Sequence, residues 1–135
     1  MNKILIIETD PLLLELLAEL LDLYGLSPLT TTSYEQGYEL TKLEKPDLIL
    51  CGHSSKNNQF ETCWQLLQKI RQDLETANIP FIFMAGSDLT TIPNWQNYLR
   101  YEEILQKPFS SQVLIEKIHT NMQSSLNTTE FSVTV

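Results

Sequence analysis

Residues 3–17 read KILIIETDPLLLELL, and two structural periods meet inside them. KILII is a short apolar run rich in β-branched residues, the pattern of a strand buried on both faces. Asp10-Pro11 then signals a helix start: Asp can cap, and Pro suits the first helical position. The helix continues as PLLLELLAELLDLYG and stops at Gly25, which fits a left-handed C-terminal cap.

The same alternation recurs along the chain. Leu29 to Thr32 is a candidate strand. Ser33 and Gln36 have the spacing of a capping box, opening a helix through about Leu43 that Lys45-Pro46 closes. Residues 46–55, PDLILCGHSS, hold a third strand over Leu48 to Cys51 that runs into a polar loop, Gly52 to Asn58. Asn58 and Glu61 suggest another cap, with a helix through about Leu74. Phe81 to Met84 is the fourth strand and Ala85 to Asp88 a loop. A helix is predicted around Pro93 to Leu99, a short strand over Glu103 to Leu105, and a last helix over Ser110 to Gln123. Strands alternating with helices predict an α/β domain with a parallel sheet covered on both faces. Residues 1–123 form this domain, and the polar stretch 124–135 is a tail or linker remnant.

The chain has 135 residues, a size for one domain. Its net charge of −8, with only nine Lys and Arg, disfavours phosphate backbones and anionic lipid as partners. No run approaches the ~20 apolar residues of a membrane span, and MNKILIIETD turns acidic too soon for a secretion signal. The expected setting is the cytoplasm, with protein partners and neither nucleic acid nor membrane. Two cysteines, Cys51 and Cys63, read as reduced, buried small hydrophobes.

Four stretches in this order resemble the receiver domain of two-component response regulators. KILIIETDPLLLELL is similar to that family's first strand, acidic turn and first helix. PDLIL resembles the strand carrying the phosphorylated aspartate, IPFIFMAG the strand bearing a Thr or Ser, and LQKPF the Lys-Pro turn before the last helix. The resemblance covers about residues 2–123. It implies a five-stranded parallel sheet in the flavodoxin-like order 2-1-3-4-5, with helices on both faces. It also implies chemistry: two acids hold Mg²⁺, an aspartate takes a phosphoryl group from a histidine kinase, and a hydroxyl and a lysine contact its oxygens. Hard oxygen ligands suit Mg²⁺, and a dianion needs positive charge around it.

Carried over residue by residue, most of that equipment is missing. Glu8 stands at the first acid and Thr9 at the second. Asp10 is acidic, but its expected role is the helix cap. Gly52 stands at the phosphoacceptor, Ala85 at the hydroxyl and Ile104 at the switching aromatic, while Lys107 is kept ahead of Pro108. The expectation is a pseudo-receiver: a signalling module without phosphoacceptor, cofactor, metal or catalysis. It would work by protein contacts with a kinase or effector, and Lys107 would pair with Glu8. The alternatives are a phosphorelay receiver with an atypical acceptor, and a small-molecule binder above Gly52. His53 with Glu8 and Asp10 makes only a weak divalent set, and nothing flanking Ser54 or Ser55 marks either as an acceptor.

Two surfaces remain. On a helical wheel the leucines of the first helix spread over about 200°, beyond the stripe one sheet face needs, so a partner or dimer surface competes with burial against the last helix. Trp95, Tyr98, Arg100, Tyr101 and Ile104 fall in the region resembling the family's output face, and interfaces favour Trp, Tyr and Arg; core packing of one or two of these rings is the safer expectation.

Overall fold

The computed structural model describes residues 2–52, 59–86, 90 and 92–125. Five parallel strands, β1 (Lys3–Ile7), β2 (Ser27–Thr31), β3 (Leu48–Gly52), β4 (Phe81–Ala85) and β5 (Ile104–Gln106), form one sheet in the order β2-β1-β3-β4-β5. The helices are α1 (Pro11–Leu23), α2 (Tyr34–Glu44), α3 (Gln59–Gln72) and α4 (Ser111–Ser125).

Alternate strand residues feed two cores, because successive side chains point to opposite faces. Leu5, Ile7, Ile49, Cys51, Phe81 and Phe83 pack with Tyr34 of α2 and with Cys63, Leu66, Leu67 and Ile70 of α3. Ile4, Ile6, Leu48, Leu50, Ile82 and Met84 pack with Leu17 and Leu21 of α1 and with Leu114, Ile115 and Ile118 of α4. Both faces are therefore dry, which explains why these strands read as unbroken apolar runs.

Local signals set the helix ends. Asp10 accepts from the Leu12 backbone N–H at 3.0 Å, with Pro11 next in the chain. Gly25 follows α1 with φ +77°, the left-handed conformation glycine adopts without steric cost. Ser33 caps α2 by accepting from the Gln36 N–H at 3.2 Å. The reciprocal half of the expected capping box is taken elsewhere: Gln36 Oε1 accepts from Thr31 Oγ1 at 2.6 Å. The Asn58 cap lies outside the described residues.

Two expectations need correction. Residues 93–99 do not form an α-helix; a single 3₁₀ turn, Trp95–Asn97, follows Asn94 at φ +65°, and a second, Tyr101–Glu103, leads into β5. A left-handed residue directly after Pro93 stops helical hydrogen bonding before it can propagate. Burial of the whole α1 arc also fails: Leu17 and Leu21 are buried, whereas Leu12, Leu16 and Leu23 are 74%, 64% and 83% exposed. No helix among the described residues is long and apolar enough to cross a membrane.

Candidate functional site

The carboxyl ends of β1, β3 and β4 and the turn after β5 meet at one edge of the sheet, where open α/β folds place their sites. Register brings the residues together. Ile7 lies beside Cys51, Gly52 beside Met84 and Ala85 beside Gln106. Glu8, Gly52, Ala85 and Lys107 therefore converge, and the Lys107 N–H donates to the Ala85 carbonyl at 2.7 Å. The Lys107–Pro108 peptide is cis.

Glu8 dominates this edge. It is 2% exposed. Its Oε2 accepts from the Asp10 N–H at 3.0 Å, and its Oε1 faces Lys107 Nζ at 3.6 Å. Oε1 has no hydrogen-bond donor among the described residues, so the ammonium is its counter-charge. A Cβ built on Gly52 would collide with this same oxygen and lie 2.8 Å from the Glu8 carboxyl carbon. The glutamate just after β1 lies in the space a side chain at 52 would need. Any side chain at position 52 would require the Glu8 carboxylate to shift. The backbone there is held too: Tyr34 Oη donates to the Gly52 carbonyl at 2.9 Å, and burial pushes the phenol well above its ordinary range, which keeps it a protonated donor.

Mg²⁺ does not fit this donor set. Glu8 offers one carboxylate already opposed by an ammonium, Asp10 is engaged in capping α1, and Thr9 contributes no charge. Among the described residues, no group of three or more His, Cys, Asp or Glu could hold a metal ion. His53, Ser54 and Ser55 lie outside the described residues. Among the described residues the geometry supports an internal ion pair between Glu8 and Lys107. Removing the ammonium strands a buried carboxylate, so Lys107→Ala should lower unfolding free energy by about 2 kcal/mol, read from urea denaturation; an unchanged midpoint would leave the pair without structural weight.

The aromatic face comes apart on inspection. Trp95 is buried in the core, and Tyr98 packs edge-on against Trp64 at 5.7 Å. Ile104 is half-buried against the same core. The Arg100 guanidinium donates to Asn121 Oδ1 at 2.9 Å. Tyr101 alone of the three aromatics stands 69% exposed. The short 3₁₀ turns, instead of a helix, rotate the rings inward.

The sequence reading missed a polar cluster beneath them. Glu103 is 2% exposed and accepts from the Phe81 N–H at 2.7 Å, the Arg100 N–H at 2.8 Å and Arg71 Nη2 at 2.8 Å. Arg71 also donates to the carbonyls of Tyr98 at 2.9 Å and Ile79 at 2.7 Å. These residues border a cavity of about 490 Å³ beside Pro80, where β4 begins, far along the strand from Gly52. The arginine is 32 residues from its carboxylate, and no local pattern joins them.

The chain superposes on the signal receiver domain of a signal transduction histidine kinase from Syntrophus aciditrophicus with a TM-score of 0.78 and 18% identity, covering 94% of each chain. This chain has the receiver fold. No protein-family profile matches it. In sequence, the receiver-fold chain is 28% identical over 120 residues to Protein PilH of Pseudomonas aeruginosa, spanning 88% of this chain and 96% of PilH. It is 29% identical over 130 residues to Sensory transduction protein BceR of Halalkalibacterium halodurans, spanning 96% of this chain but 53% of BceR. A receiver fold with one acid, one lysine and a glycine at its site is thus the arrangement to be explained.

Proposed function

We propose that this chain is a pseudo-receiver, a response-regulator-like signalling module that acts by protein–protein contact without being phosphorylated. One observation carries the reading: the carboxylate of Glu8 occupies the space an acceptor side chain at position 52 would need and takes Lys107 as its partner. A phosphoryl group arriving there would meet the negative charge of Glu8 at close range. With the ammonium paired internally, signalling would depend on how much partner is present and how tightly it binds. Likeness to a sensory transduction protein and to a kinase receiver domain supports the signalling half of the proposal. The expected partners are proteins, a kinase or effector, and the exposed leucines of α1 are the apolar surface available to them.

The test is direct. Incubated with acetyl phosphate and Mg²⁺, the intact chain should keep its mass. An adduct of about 80 Da, the mass of a phosphoryl group, whether acid-stable or hydroxylamine-labile, would instead mean an atypical acceptor and would end the pseudo-receiver reading.

A further inference from the structure

Cys51, next to last in β3, and Cys63, on α3, are both fully buried and free, and their sulfurs lie 3.0 Å apart. Nothing in the ion-pair site uses them. The residues are 12 apart in sequence, and the strand and helix that bring them together share a core with Ile7, Leu66, Leu67 and Phe83. A sulfur–sulfur bond of about 2.05 Å would require the two atoms to close by only about 1 Å.

We propose that Cys51 and Cys63 form an oxidation site, at which hydrogen peroxide converts the buried dithiol into an intramolecular disulfide tying α3 to the end of β3. One sulfur attacks the peroxide: the O–O bond breaks, an S–O bond forms, and the leaving oxygen departs as water after taking the thiol proton. The second sulfur then attacks the sulfenic sulfur; the S–S bond forms, the S–O bond breaks, and a second water leaves with the second thiol proton. The two thiols lose two electrons and the peroxide gains them. Burial pushes the Cys63 thiol up, with the neighbouring Cys51 adding to the rise and Lys107 opposing it. The Cys63 thiol therefore stays protonated at neutral pH, and the conversion is slow beside that of an exposed thiolate. The neighbouring thiol distinguishes this pair from a lone buried cysteine: the sulfenic acid is captured before further oxidation.

The experiment treats the full native chain with excess hydrogen peroxide, quenches it, unfolds it and alkylates with iodoacetamide. The expected product is monomeric, unalkylated, about 2 Da lighter than the starting protein, and returned by dithiothreitol to a doubly alkylated form. A non-reducing peptide map should join the segments holding Cys51 and Cys63, a readout that needs no variant. Cys63→Ala should divert Cys51 to sulfenic or sulfinic adducts. Two alkylated thiols after treatment, oxygen adducts on the wild-type cysteines, a linked dimer, or a disulfide that appears only in denaturant would each overturn the proposal.

Discussion

Glu103→Ala is expected to lose about 3–5 kcal/mol of unfolding free energy, the range for removing one member of a buried ion pair. The carboxylate of Glu103 accepts from three donors at 2.7–2.8 Å, and two of them are backbone N–H groups. Alanine removes the acceptor of the Phe81 and Arg100 amides and the counter-charge of the Arg71 guanidinium, in a site where desolvation already shifts Arg71 downward. Phe81 opens β4 and Arg100 precedes the 3₁₀ turn into β5, so the loss falls on the sheet edge where these strands pair. Glu103→Gln keeps the shape and part of the hydrogen bonding and should lose less. Urea denaturation of both variants checks the ranking; an alanine variant within about 1 kcal/mol of wild type would show that the cluster tolerates opening to water.

The second large effect is at Gly52. Gly52→Asp should cost about 3 kcal/mol, combining overpacking with two carboxylates in one dry space. The new Cβ would press on Glu8 Oε1 and come within 3.3 Å of the Met84 methyl, and among the described residues Lys107 is the cation paired with Glu8. Adding Glu8→Ala removes the collision and leaves the lysine to the carboxylate introduced at position 52. The double variant should therefore recover about 2 kcal/mol of that loss through the coupling expected of residues in contact. A double-mutant cycle by urea denaturation measures the coupling. Additive losses would mean that Glu8 and position 52 do not compete for one space, and the pseudo-receiver proposal would lose its structural basis.

Much of the architecture was legible in the chain. The period-2 and period-3.6 segments alternate cleanly, Asp10, Pro11 and Gly25 mark both ends of α1, and the four family-like stretches imply the strand order that the sheet has. The convergence of Glu8 with Lys107 also followed from the resemblance, and the pair is present. Local rules did not decide everything. Trp95 and Tyr98 fall in the region that resembles the family's output face, with core packing of one or two of the rings the safer expectation; the left-handed Asn94 and the 3₁₀ turn accompany Trp95 in the core and Tyr98 against Trp64. Gln36 has the spacing of a capping box, yet its side chain bonds to Thr31 at the end of β2.

Strand and helix periods and turn residues are written along the chain, because each depends on neighbours a few positions away. What lay beyond it are the pairings made across the sheet: Glu8 entering the space beside Gly52, Arg71 meeting Glu103, Cys51 touching Cys63. These depend on register and on how far a side chain reaches between elements. Both are set only when the apolar faces pack, since packing fixes which strand lies beside which and how far each is shifted along the other.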